Sequence, residues 1–242
     1  MAAAFDEDDE PLQLSADTLQ ALAEFRQEKS ALDKRFEDLK AQAETKFEDD
    51  QPLTMDLFGE DWNASQFWYT DATAELLAGQ LLADATEDSA IAIVSAPSVF
   101  VALKNILRKD KHMFKPRLLL LEVDRRFEVF GAEFQHYDYT EPLRLPASLK
   151  GAFDRLICDP PFLSEDCQTK TALTARFLSK DWSKDGVKLI SCTGERMEST
   201  IHRLYDAVGV RTTDFEPEHR KGLSNEFRCF ANFQSTTWSF RS

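Results

Sequence analysis

Apolar positions along this chain follow two rhythms, and the change between them falls near residue 60. From Leu14 to about Phe47, Leu19, Leu22, Phe25, Leu32, Phe36 and Leu39 recur mostly at three- and four-residue intervals. Ser15 or Asp17 can cap the start, so the spacing predicts one or two amphipathic helices over 14–47. Their apolar face packs on the domain that follows, the expected arrangement, or grips a partner. Residues 48–62 are acidic, contain Pro and Gly, and are expected to form a linker. From residue 63 the pattern alternates. Thr70 or Asp71 caps a helix over Thr73–Leu82, followed by the apolar run Ala90–Pro97 and a helix to about Leu107. Pro116–Asp124 and Phe153–Pro161 are further buried runs, and helical spacing returns over Asp166–Ser179. Gly186–Gly194 is another strand and Met197–Ala207 a short helix. Nearly continuous apolar strands alternating with helices imply an α/β fold, a mostly parallel sheet with helices on both faces. Val210–Phe215 and Glu226–Phe233 follow each other without a helical crossover, which predicts an antiparallel pair closing the sheet.

Composition narrows the function. The 242 residues carry a formal charge of -14, a field that repels phosphate backbones, so no stable nucleic-acid binding is expected and a basic protein partner fits better. Five consecutive acids, Asp6–Glu10, make residues 1–13 an acidic, solvated tail. Cys158, Cys167, Cys192 and Cys229 are scattered, as are the four histidines, which suggests neither a disulfide framework nor a metal site. The start lacks the basic and apolar regions of a signal peptide, and no stretch is apolar enough for a membrane span. A cytoplasmic monomer is the default expectation.

Ligands of open α/β sheets sit beyond the carboxyl ends of the strands. The first strand ends in Ser95-Ala96-Pro97-Ser98, which is not a GxGxxG fingerprint. Its small residues still permit close backbone approach, and Ser98 can cap the next helix. After the second strand, Glu122 can accept hydrogen bonds from ribose hydroxyls or be an ordinary solvated acid. Asp138 can reach an adenine amino group or be a turn residue. Asp159-Pro160-Pro161-Phe162 follows the strand ending at Cys158. Two prolines fix the turn, so one carboxylate, one backbone carbonyl and one aromatic ring surround a small volume suited to an amino nucleophile. Gln66-Phe67-Trp68-Tyr69 holds three successive aromatics, and at least one ring is expected at the site: Trp68 or Tyr69 contacts cofactor or substrate, with core packing as the alternative.

DPPF matches the [D/N]PP[Y/F/W] motif of methyltransferases that modify amino groups. Together with NASQFWYTDATAELLA (63–78), VSAPSVF (94–100), LLEVDRRFEVFGAEFQHYDY (120–139), ICDPPFLSEDC (157–167), LISCTGERME (189–198) and LSNEFRCFANF (223–233), the chain resembles the elongation factor 1-alpha lysine methyltransferase family. The likeness covers roughly residues 63–233, with a weaker one at 11–25. It implies a Rossmann-like, seven-stranded methyltransferase domain over 63–242, S-adenosylmethionine as cofactor, and a lysine of translation elongation factor 1-alpha as methyl acceptor. It also implies catalytic roles for Asp159, Pro160 and Phe162. The cofactor-binding set is Trp68, Ser95, Ala96, Pro97, Ser98, Glu122, Asp138 and Asp159. Tyr69, Pro161, Phe162, Asn225 and Glu226 would contact substrate. Two other classes remain: an adenine-N6 methyltransferase, with Phe162 stacking on a flipped base, and a non-catalytic module that has kept the fold.

Overall fold

The computed structural model describes residues 15–48, 53–58, 66–109, 114–222 and 226–241. The N-terminal pattern forms a single helix, α1 (Ala16–Glu48). Its start is capped by the Ser15 hydroxyl, which accepts from the Thr18 amide at 3.2 Å. α1 comes against the segment 125–133, while Leu19, Leu22 and Phe25 are exposed.

Beyond it lie α2 (Asp71–Leu82), β1 (Ala90–Val94), α3 (Pro97–Lys109), β2 (Arg117–Glu122), β3 (Phe134–His136), β4 (Arg155–Cys158), α4 (Glu165–Leu178), β5 (Lys188–Gly194), α5 (Glu198–Leu204), β6 (Arg211–Thr212) and β7 (Phe227–Ala231). The strands form one seven-stranded sheet in the order β3-β2-β1-β4-β5-β7-β6. β1 pairs in parallel with β2 and β4, β2 with β3, and β4 with β5. β7 runs antiparallel to β5 and β6, the expected closure.

The period of two along each strand divides the core into layers. Ile91, Ile93, Leu118, Leu120, Ile157 and Ile190 face the layer of α2 and α3. Ala92, Val94, Leu119, Leu121, Leu156 and Leu189 face that of α4 and α5. Fully burying a large apolar side chain contributes roughly 1.5–3 kcal/mol, so these two seams fix both helix layers to the sheet. Arg155 closes the end of α2 by donating to the carbonyls of Leu81, Ala83 and Asp84 at 2.9, 2.6 and 2.7 Å. All four cysteines are buried thiols.

Several details depart from the periodicity. Phe134–His136, which shows no strand periodicity of its own, supplies the edge strand β3. The helix expected over Met197–Ala207 is confined to α5, with 3-10 turns at Glu195–Met197 and Asp206–Val208. Ser98 does not cap α3: the helix already begins at Pro97, where a fixed φ and a missing N–H are tolerated, and Ser98 lies in its first turn. Within the stretch 48–62, Leu53, Met55 and Phe58 are buried in the core. The Asn105 side chain clamps Leu53 through its amide at 2.9 Å and its carbonyl at 2.8 Å. Acidic neighbours conceal this segment because, among its described residues, these three isolated side chains carry the packing.

Candidate active site

β1 lies between β2 and β4: the chain runs outward from β1 to β2 and β3 on one side, then crosses to β4 and β5 on the other, opening a crevice beyond the carboxyl ends of these strands. A cavity of about 280 Å³ occupies it. Its floor is the turn that leaves β1. Ser95 adopts φ +56°, a left-handed conformation that costs a non-glycine residue about 1–2 kcal/mol. Its amide is held by the Leu121 carbonyl at 2.9 Å. This turn swings the chain into α3 and lays Ser95, Ala96, Pro97 and Ser98 along the cavity.

The end of β2 brings an acid into the same space. Glu122 is buried, and its Oε1 accepts from the Val123 and Asp124 amides at 2.9 and 3.2 Å. These bonds leave Oε2 for a ligand. Burial pushes its carboxyl up to about 7, against the lowering effect of the two amides. Next to it, Asp124 and Arg126 bind the side chain of Gln66 at 3.0 and 3.1 Å, and Arg126 also donates to the Phe58 carbonyl. This network draws residues 66–69 across the cavity. Trp68 is buried there, edge-on to Phe127 with ring centroids 6.3 Å apart. Asp138 lines the far side, where its Oδ1 accepts from the Thr140 amide at 2.8 Å. That amide holds its carboxyl below the usual range.

The DPPF turn is anchored at both ends. The Asp159 amide donates to the Val94 carbonyl at 3.0 Å, continuing the ladder one step beyond β4. Gln168, buried on α4, donates to the Phe162 carbonyl at 3.1 Å and to Thr193 Oγ1 at 3.0 Å. Ser164 caps α4 by accepting from the Cys167 amide at 3.3 Å. Gly194 permits the close approach of the turn to β5, since a Cβ there would lie 2.8 Å from Leu163 Cδ1. Pro160 and Pro161 line the cavity between the half-buried Asp159 and the partly exposed ring of Phe162. Burial pushes the Asp159 carboxyl up to about 7; Tyr69 opposes that shift and the charge of Glu122 adds to it. Two carboxyls near neutrality inside one concave site favour a cationic ligand, whose charge would ionise both.

Tyr69 turns one ring face to the cavity, but its hydroxyl is buried between Asp159 and the Cys192 thiol without a well-aligned hydrogen bond. Burial first, and then the Asp159 charge, raise the phenol well above its ordinary range. Its backbone forms a bridge with His219, and the Thr70 amide donates to the Glu218 carbonyl at 2.9 Å. The His219 ring sits between Tyr69, tilted against it, and Phe227, edge-on to it, with centroids 4.8 and 4.6 Å away, so the loop before β7 completes the wall.

All eight residues expected to bind a cofactor line this one cavity, together with Tyr69, Pro160, Pro161 and Phe162. Glu226 is not part of the lining. It is exposed at the side, 3.5 Å from Arg228, which also pairs with Glu195 at 3.1 Å and with Glu216. Asn225 lies outside the described residues.

The comparisons with known proteins fit this geometry. A family model described as probable N6-adenine methyltransferase matches residues 60–235. Protein-lysine N-methyltransferase EFM5 of Saccharomyces cerevisiae is 44% identical over 239 residues, spanning 95% of both chains. EEF1A lysine methyltransferase 1 of Homo sapiens is 40% identical over 230 residues, again 95% of each chain, and that of Gallus gallus is 39% identical over 231 residues, covering 95% of this chain and 98% of that one. The chain belongs to the EEF1A lysine methyltransferase family. For this member of the EEF1A lysine methyltransferase family, the structure adds wall residues that the sequence pattern had not singled out, notably Val123, Tyr139, His219 and Phe227. Gln168 and Gly194 also emerge as the supports of the DPPF turn. Only the strand-end position of Val123 and Tyr139, each next to an acid already chosen, could have marked any of them in the sequence.

Proposed function

We propose that this protein is a cytoplasmic enzyme that transfers methyl groups from S-adenosylmethionine to the ε-amine of a lysine in translation elongation factor 1-alpha. The observation that carries this reading is the half-buried Asp159 carboxylate on a proline-fixed turn, in one cavity with the buried Glu122. We assign the chemistry to residues 63–242, with 14–47 as a helical extension, 48–62 as the connection and 1–13 as an acidic tail.

The cavity residues suit the cofactor. Glu122 Oε2 would accept from the ribose hydroxyls, Asp138 from the adenine amino group, and Trp68 with Ser95–Ser98 would form the enclosing surface. S-adenosylmethionine supplies an electrophilic methyl group carried on a sulfonium. The chain must present a neutral amine to it, and a free lysine is protonated near pH 7 with a reference pKa of about 10.4. Asp159 and the Pro160 carbonyl would accept the amine N–H bonds and aim the lone pair, an orienting effect that supplies much of the acceleration. The apolar walls disfavour the ammonium, while Asp159 favours it, so the same carboxylate attracts the lysine and restrains its deprotonation. Phe162 has no hydroxyl and would act as a wall against the lysine stem. Pro161 and the Tyr69 ring would bound the same space, and Asn225 and Glu226 would meet the protein outside it.

The family model's description and the shared turn also suit an adenine amine, but the charge of -14 opposes a nucleic-acid track. Transfer of labelled methyl to unmethylated elongation factor 1-alpha, DNA and RNA separates the readings. Label on a protein lysine, absent with Asp159→Ala, is expected. Label on nucleic acid alone would replace the proposal with adenine methylation, and failure to bind the cofactor would favour a non-catalytic module.

A further inference from the structure

The surface beside the cavity mouth bears on how a folded substrate is held, and this step rests on the lysine reading above. Among the described residues from 53 onward, four large hydrophobic side chains stand out as exposed: Val123, Leu143, Phe162 and Leu173, at 47, 55, 41 and 44%. Val123 and Phe162 line the cavity itself. The two leucines lie outside the cavity lining, one on the loop after Tyr139 and one on α4. Phe162 meets Tyr139 with ring centroids 5.6 Å apart, and Lys170 Nζ lies 5.9 Å from the Tyr139 ring. Leu173 is three residues further along α4, on the same helical face as Lys170. The loop after Tyr139 is fastened to that part of the helix, because Thr174 Oγ1 donates to the Pro142 carbonyl at 2.9 Å. Leu143 follows immediately. Opposed charges flank these side chains, Asp166 with Lys170 on one side and Glu141 with Arg144 on the other.

We infer that this strip, from Phe162 through Tyr139 to Leu143 and Leu173, is a docking surface for the folded protein substrate, which seats an apolar side chain on the two leucines while its lysine enters past Phe162. A lysine nitrogen extends roughly 6 Å from its Cα, so it arrives beside the half-buried Asp159 only when the substrate backbone presses on the rim. Contact with Phe162 and Tyr139 then follows from geometry, and Leu143 and Leu173, next along the same loop and helix face, would prolong it. An apolar centre with charges of both signs at its edge has the make-up of a protein contact and lacks the basic track that nucleic acid needs.

The test uses the full chain with Leu143→Asp, Leu173→Asp and the double variant, all at positions outside the cavity lining. The double variant is expected to raise KM for intact elongation factor 1-alpha about tenfold. Its kcat at saturating substrate, its affinity for S-adenosylmethionine and its Tm should stay near those of the wild type. If the aspartates lower Tm, Leu143→Ser and Leu173→Ser carry the same expectation with a smaller rise in KM. An unchanged KM in a folded double variant overturns the docking surface. So does a loss of kcat or cofactor affinity at constant KM, which would assign the leucines to holding the site. Absence of any transfer to elongation factor 1-alpha by the wild type is a different failure, that of the lysine reading, and removes the docking surface with it.

Discussion

The wall of the cavity made by β1, β2 and β4 consists of residues placed directly beyond strand ends, whereas the opposite wall joins Tyr69 to His219 and Phe227 from distant parts of the chain. On the first wall, sheet hydrogen bonds fix Ser95 and Asp159, and of the two acids Glu122 is buried and Asp159 half-buried. On the second, tilted and edge-on ring contacts and the ion pairs of the buried Arg228 with Glu195, Glu216 and Glu226, whose side chains reach solvent, hold the loops together. Charge held in a rigid frame suits a constant ligand such as a cofactor. Pairs whose acids reach solvent are screened and more yielding, which suits the side that meets a protein. The contrast is a proposal about division of labour, and variants on each wall can break it.

The largest effect is expected at Asp159. Asp159→Asn should lower kcat by about 10²–10³-fold, through lost orientation of the amine, while the folded protein becomes more stable at pH 8. In the fold this carboxyl is pushed up to about 7 by burial, so the native state holds its proton longer than the unfolded chain does. Stability contributed in acid is therefore lost as pH rises from about 4 through 7. Removing the charge should return on the order of 1–3 kcal/mol at pH 8 and nothing near pH 4. Melting curves at the two pH values, set beside activity, check both halves.

Glu122→Gln should act on the cofactor and spare the amine. Loss of charge-assisted hydrogen bonds should weaken S-adenosylmethionine binding by about 10–100-fold, with kcat at saturating cofactor little altered. For the wild type, calorimetry should show affinity falling as pH drops below about 7. Cofactor binding should release protons near neutrality, and the variant should release fewer. Equal loss of kcat and affinity would erase the distinction between the two acids.

Gly194→Ala tests the support of the DPPF turn. The added Cβ would meet Leu163 at 2.8 Å and push on the turn, so kcat should fall about tenfold with cofactor affinity retained. The smallest effect is expected at Arg228. Arg228→Lys keeps the charge but loses the planar fork shared among three acids, and should raise KM for the protein about three-fold, increasingly so at high salt. Rate measurements at two ionic strengths, with cofactor affinity as control, decide whether this side answers to the protein alone.

How legible each wall was follows from the same contrast. Runs such as Ala90–Val94 and Arg155–Cys158 are buried on both faces, and the residues after them fall at the crevice by topology alone. That logic reached Ser95–Ser98, Glu122 and Asp159 from local pattern, and the adjacent prolines marked the turn. His219 and Phe227 join the site only because the chain returns to pair with Tyr69, and no spacing within one segment encodes that return. Three-residue β3 is too short to display alternation, and it is held by its neighbour β2. Leu53, Met55 and Phe58 went unnoticed among acids because burial of a short strap depends on the groove that Asn105 and Phe127 provide.

The most direct measurement is peptide mass spectrometry of purified, unmethylated elongation factor 1-alpha after incubation with S-adenosylmethionine and the full chain, wild type beside Asp159→Asn. The account predicts whole methyl groups added to a lysine by the wild type and none by the folded variant. No added methyl, or a methylated lysine that persists with Asp159→Asn, would contradict it.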